Sequence, residues 1–186
     1  MELLDLVDAA GAPTGETVPR EMAHQLGLRH RVAHVWVIRE REGRRQVLLQ
    51  KRSRCKDSYP GLWDTSSAGH IPAGTEPLDS ALRELEEELG IRAGADALTC
   101  IGQFPIRYEA VFHGKLFRDN EISSVYVYDR PVSLSDLKLQ AEEIEAADWF
   151  DLEEVRRFTA QGDPRFCVPE AALDILTRHL SKEEPT

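Results

Sequence analysis

Three carboxylates, Glu84, Glu87 and Glu88, stand at i, i+3 and i+4 in the run Arg83-Glu84-Leu85-Glu86-Glu87-Glu88-Leu89-Gly90-Ile91. On a helix that spacing puts all three on one face, a few ångströms apart. Like charges so close repel, and a divalent cation is the natural compensator. Carboxylate oxygens are hard ligands that suit Mg²⁺ or Mn²⁺, and such sites keep positions open for water and substrate phosphate. A Glu-rich helix is more often just a solvated acidic face. The setting argues otherwise here: a turn containing Gly69 and Gly74 leads into the run, Arg83 sits beside the first carboxylate, and Gly90-Ile91 closes it.

The elements that must position this run can be read from periodicity and punctuation. Leu78, Leu82, Leu85 and Leu89 form an apolar stripe at helical spacing, so residues 76–89 are expected to be a helix. Thr75 is the expected N-cap, Pro77 suits the first turn and Gly90 the C-terminal stop. Residues 30–40 and 45–53 read as a hairpin around Glu42-Gly43-Arg44, and 53–62 as a loop broken by Pro60-Gly61. Residues 63–69 are expected to be extended. Further strands are expected near 98–108 and 121–129, around a turn at His113-Gly114, and at 143–151. A short strand at 2–8, a turn-rich break at 9–15 and a helix from Pro19 to Gly27 precede these. Two helices, 152–162 and 169–180, follow, and the last five residues are expected to fray.

Mixed strands with a few helices point to an α/β or α+β sandwich. At 186 residues the chain is expected to be one domain over 1–186: a strand and helix at 1–28, a core at 29–150 and C-terminal helices at 151–182. With 23 basic against 33 acidic residues the net charge is −10, which argues against a nucleic-acid polymer as partner. A small anionic substrate stays open, because a bound cation reverses the local field. No apolar run approaches membrane-spanning length, and the N-terminus lacks the pattern of a secretory signal. Cys55, Cys100 and Cys167 are odd in number and form no CxxC pair. A reducing cytoplasm is the expected compartment.

With these residues in place, the chain resembles the Nudix family. Its signature runs Gly, five residues, Glu, seven residues, then Arg-Glu-U-x-Glu-Glu-x-Gly-U, with U aliphatic. Gly69 opens the box, and Arg83, Glu84, Leu85, Glu87, Glu88, Gly90 and Ile91 match. Thr75 stands where the first Glu is expected, with Glu76 next to it. The resemblance implies an α/β/α sandwich with a mixed sheet and a Mg²⁺-dependent hydrolase of diphosphate linkages. Glu84, Glu87 and Glu88 would hold the metal and Arg83 would orient them; Thr75 implies weaker or altered metal binding. The chemistry is coherent, since the metal neutralises phosphate charge and lowers the pKa of its bound water.

Beyond the box, 30–37, 48–53, 56–74, 119–128 and 142–150 look like the isopentenyl-diphosphate-isomerase-like branch of that family. The isomerases place a catalytic Cys before the Gly-His pair; here Ala68 precedes Gly69-His70, and alanine neither gives nor takes a proton. The same branch implies metal ligands at His24, His30, His70 and in Asp119-Asn120-Glu121. Read from the residues alone, isolated histidines more often serve packing. Glu121 is the stronger candidate, as an added metal ligand or general base, and Glu143 a weaker one. Arg52, Lys56 and His70 are candidates for holding substrate phosphate, Arg52 because its planar fork suits that geometry. Trp36 reads as core; Tyr59 and Trp63 are possible stacking surfaces that more often serve packing, and Tyr108, Phe112 and Phe117 border the hairpin without assigned roles.

The leading expectation is therefore a cytoplasmic metal-dependent hydrolase of a small organic diphosphate, nucleotide or other, acting as monomer or homodimer. An isopentenyl-diphosphate isomerase-like enzyme and a non-catalytic nucleotide or diphosphate sensor are the alternatives.

Overall fold

A computed structural model describes residues 2–183. Leu3–Val7 (β1) and Pro13–Pro19 (β2) form an antiparallel ribbon, and Arg20–Leu26 (α1) follows, stopped by Gly27 in the left-handed region at φ 67°. β2 replaces the expected turn-rich break: its residues have little strand propensity, but they pair with β1 across the ribbon and bury Val18.

His30–Arg41 (β3) and Arg44–Arg52 (β4) make the expected hairpin, with Glu42 and Gly43 both at positive φ in its two-residue turn. Trp63–Asp64 (β5) and Ser67–His70 (β6) follow, then Pro77–Leu89 (α2). Thr99–Phe112 (β7) and Lys115–Tyr128 (β8) form a hairpin longer than expected, because pairing continues out to Phe112 and Lys115 beyond the apolar stretch. Ile144–Asp151 (β9), Leu152–Ala160 (α3) and Glu170–Glu183 (α4) complete the chain. The expected fraying does not reach Lys182 and Glu183, which are helical; residues 184–186 lie outside the described residues.

The main sheet runs β5-β4-β3-β8-β7, with β6 added to β3 and β9 to β4. β3 and β8 are parallel and the other pairs antiparallel, so the sheet is mixed. One face, with Trp36, Val47, Leu49 and Val125, packs against α3 and α4 through Val155, Leu173 and Leu176. The opposite face, with Val35, Val37, Leu48 and Tyr126, packs against Ala81, Leu85 and Leu89 of α2. The result is an α/β/α sandwich, and the leucine stripe of α2 supplies its contact with the sheet. Among the described residues, no helix is long and apolar enough to cross a membrane.

The site depends on a fork. Along one strand, β3 pairs first with β6 over Val32–Val35 and then with β4 over Ile38–Arg41. Ser66 spans the split, taking a hydrogen bond from the Val37 N–H at 2.8 Å and donating to the Leu48 carbonyl at 2.5 Å. Strand geometry sends successive side chains to opposite faces. His30, Val32, His34 and Trp36 therefore share one face of β3, and Ala33, Val35 and Val37 the other.

Candidate active site

The box carboxylates sit against β6. Gly69 lies over Glu84, and a Cβ at Gly69 would land on the Glu84 carboxylate. Glycine is required there for close approach. Glu88 is 3% exposed and accepts from the Ala68 N–H at 3.1 Å and the Gln50 amide at 3.3 Å. The Arg83 guanidinium donates to Glu84 Oε1 at 2.6 Å and to the His70 carbonyl at 3.2 Å, and lies 3.8 Å from Glu87. Glu87 is the exposed member of the three. Burial lifts the Glu84 carboxyl to about 7, with Arg83 opposing and Glu87 adding to the rise. Burial, then Glu84, lifts Glu88 to about 7. Two carboxylates drawn out of water, with one guanidinium between the three glutamates, fit the expected cation, and hard oxygen donors suit Mg²⁺. Thr75 keeps only backbone roles: its N–H donates to the Pro72 carbonyl and its carbonyl accepts from Arg31. Glu76, not Thr75, is the N-cap of α2, and it makes no capping hydrogen bond with its side chain.

A second cluster lies on the other face of the same strand. His24 of α1, His30 of β3, His70 of β6 and Glu121 of β8 each offer a ligand atom, all within 4.8 Å of one another. His24 Nε2 and His70 Nε2 are 3.0 Å apart; Glu121 Oε1 is 3.5 Å from His30 Nε2 and 3.8 Å from His70 Nε2. His30 Nδ1 lies 2.8 Å from the Leu28 carbonyl. That carbonyl can only accept, so Nδ1 carries a proton and Nε2 faces the cluster, where it is buried without a hydrogen-bond partner. Burial, with His30 next, lowers His24 to about 4, and His70 is lowered well below its ordinary value by burial and then by Arg20. Although burial raises Glu121, its contacts with His30 and His70 hold it down, to about 2. Lowered His24 and His70 beside a carboxyl held low suit metal ligation, and three nitrogens with one oxygen suit a four-coordinate ion such as Zn²⁺. The meeting of His24, His30, His70 and Glu121 draws on four elements, which sequence spacing does not show. The nearest signal in the sequence was the branch resemblance.

The histidine cluster borders a cavity of about 300 Å³, and the carboxylates lie behind one of its walls. His24, His70, Asp119 and Glu121 line one end of it; Ala68 and Gly69, whose far side holds Glu84 and Glu88, form part of the wall. Lys56 reaches in from the loop and is ion-paired with Glu143. Arg52 commits Nε and one Nη2 hydrogen to Ser58 and Nη1 to Asp64 at 3.0 Å. Tyr59, Tyr108 and Phe112 form a ring cluster, with centroid separations of 5.5 and 4.9 Å from Tyr59, and Phe117 stacks on His24 at 4.3 Å. Trp36 is core, as its apolar strand indicated, and Trp63 packs against Phe150. Among the polar cavity residues with no assigned role in the sequence are Arg20, His34, Asp64 and Cys167. All three cysteines are free, and burial raises the Cys167 thiol.

The NUDIX domain family model matches residues 16–168. Nudix hydrolase 3 of Arabidopsis thaliana is 42% identical over 167 residues, covering 89% of this chain; the chain spans only 21% of that protein's length. An isopentenyl-diphosphate Delta-isomerase of Cereibacter sphaeroides is 33% identical over 154 residues, covering 82% of this chain and 81% of that one. A crystal structure of a Deinococcus radiodurans protein superposes with a TM-score of 0.66 at 18% identity, covering 95% of this chain and 98% of that one, and supports the fold. The Gly69–Ile91 box, the sandwich that carries it and the match over residues 16–168 together place this chain in the Nudix family.

Proposed function

We propose that this chain is a Mg²⁺-dependent hydrolase that splits the diphosphate linkage of a small organic diphosphate. One observation carries the reading: Glu84 and the buried Glu88 lie together behind Ala68 and Gly69, which wall a cavity that Arg20, Arg52 and Lys56 also line. Glu84, Glu87 and Glu88 would hold Mg²⁺, and Mn²⁺ suits the same donors. His24, His30, His70 and Glu121 would hold a second ion of the nitrogen-favouring kind. Bound there, such ions neutralise phosphate charge and make water a better nucleophile. Arg83 fixes the Glu84 carboxylate and ties it to the His70 carbonyl, so the two clusters keep one relative position. Arg20 and Lys56 draw phosphate oxygens into the cavity mouth. Glu87, open to solvent, has room to take the proton of the attacking water.

Phosphorus NMR of a panel of nucleoside diphosphates, nucleoside triphosphates, sugar nucleotides and isopentenyl diphosphate tests this reading. It predicts Mg²⁺-dependent cleavage of at least one member, lost in Glu87→Gln. No cleavage of any member by the wild type, or equal cleavage by the variant, overturns it.

The histidine cluster and the isomerase relative favour a second reading, interconversion of short prenyl diphosphates. Ala68 offers that reaction no proton donor. Cys167 does reach the cavity, but burial raises its pKa, which makes the thiol a poor proton donor and leaves little thiolate to act as a base. Conversion of isopentenyl to dimethylallyl diphosphate in the same spectra would establish the second reading.

A further inference from the structure

The cavity has a polar floor that neither metal cluster uses. His34 follows His30 by four residues on the same face of β3, about 13 Å further in at the usual strand rise. It lies across from Ala68 in the β3–β6 pairing, so only a methyl group faces it there. Its ring is 6% exposed, lines the cavity and meets Phe104 edge-on at 5.7 Å. Nδ1 is buried and has no hydrogen-bond partner. A buried ring nitrogen left in that state costs free energy until something supplies the missing bond.

Beside it stands the Arg52–Asp64 pair, each side chain 12% exposed. Asp64 spends one oxygen on Arg52 and the other on the Thr65 N–H at 2.7 Å. Arg52 spends three of its five N–H bonds on Ser58 and Asp64, which leaves two. The pair is neutral as a unit, so it does not call for a second anion. What it offers is N–H donors, next to an imidazole short of a partner.

We propose that His34 and Arg52 form a subsite for a neutral oxygen function, a hydroxyl or carbonyl, on the organic half of the substrate. This rests on the diphosphate-hydrolase reading above and narrows it: the substrate is an oxygenated organic diphosphate, with its diphosphate at the metal clusters and its oxygen group at the cavity floor. A bare hydrocarbon chain in the same place would cover His34 and the free Arg52 N–H groups without satisfying them, and buried polar groups left unpaired discriminate strongly.

Binding of two isosteric probes to the Mg²⁺-loaded full chain tests the proposal. These are the methylenebisphosphonate analogues of 3-hydroxybutyl and 3-methylbutyl diphosphate, which differ by one hydroxyl in place of one methyl and resist cleavage. Calorimetry is expected to show the hydroxylated probe binding at least about tenfold tighter, the size of one unsatisfied buried group. In His34→Leu the preference falls to near unity; in His34→Gln, which keeps a donor and an acceptor, part of it returns. Equal affinities in the wild type, or tighter binding of the methyl probe, overturn the subsite while leaving the diphosphate reading intact. An undiminished preference in His34→Leu overturns the assignment to His34. Binding of neither probe removes the diphosphate site itself, and the subsite with it. Melting curves accompany each variant; if His34→Leu does not fold, the wild-type pair and His34→Gln decide.

Discussion

The two faces of β6 carry two unlike clusters. On one side Gly69 admits Glu84, and the carboxylates come from a single helix. On the other His70 joins ligands from α1, β3 and β8. The first cluster is all oxygen, and burial raises the pKa of Glu84 and Glu88 against the pull of Arg83 on Glu84. The second is mostly nitrogen, with His24 and His70 lowered chiefly by burial and Glu121 held low. Adjacent residues of one strand thus serve donor sets of different hardness, and the strand's alternation keeps the sets apart. On the reading proposed above, the carboxylates would hold the hard ion that meets phosphate and the histidines a second, more tightly held ion.

The largest effect should come from the carboxylate side. Glu88→Gln removes a buried charge while keeping the hydrogen-bonding shape, and diphosphate cleavage should fall by about 10²–10³. Metal analysis of the same variant should still find the ion held by the histidines; loss of both ions together would erase the distinction between the sites. Gly69→Ala comes next. Its methyl would occupy the place of the Glu84 carboxylate, so turnover should drop about 10²-fold with the fold retained by circular dichroism. Unchanged turnover would show that Glu84 can move aside at no cost.

His30→Ala tests the other face. One equivalent of bound transition metal should disappear on mass-spectrometric metal analysis, with Mg²⁺ binding at the carboxylates kept. A variant that retains the full complement would remove His30 from the ligand set.

The smallest effect is a dependence of stability on pH. The Glu84 carboxyl is raised from 4.5 to about 7 in the fold, so between those values the folded chain holds a proton that the unfolded chain has lost. The stability this adds is complete below 4.5 and is lost as pH rises through 7. Glu84→Gln has no such proton, so in chelator its melting temperature should climb relative to wild type by a few degrees between pH 5 and 8. A constant difference across that range contradicts the raised carboxyl of Glu84.

Much of the fold was legible because its signals are local. The leucine stripe of α2, the turn at Glu42-Gly43 and the stop at Gly90 each depend on neighbours in sequence, and the structure shows all three. β2 was missed because its strand character comes from pairing with β1 and not from its own residues. The same division runs through the site. Glu84, Glu87 and Glu88 announce themselves by spacing, whereas His24, His30, His70 and Glu121 span nearly a hundred residues and meet only through the β3–β8 and β3–β6 pairings and the packing of α1. His34 sits in a strand whose alternation marks a buried face, where a histidine reads as packing until the cavity beside it is seen. Arg52 was read as a phosphate fork, a role its bonds to Ser58 and Asp64 leave only partly open.

Titrating metal-free protein with Co²⁺ tests the central claim, that one strand separates two metal sites of different ligand class. The first equivalent should give the intense visible bands of a four-coordinate, nitrogen-rich site, and those bands should vanish in His30→Ala yet persist in Glu84→Gln. A second equivalent should bind with only weak bands and be displaced by Mg²⁺. Intense bands that survive His30→Ala, or a first equivalent that Mg²⁺ displaces, would contradict the account.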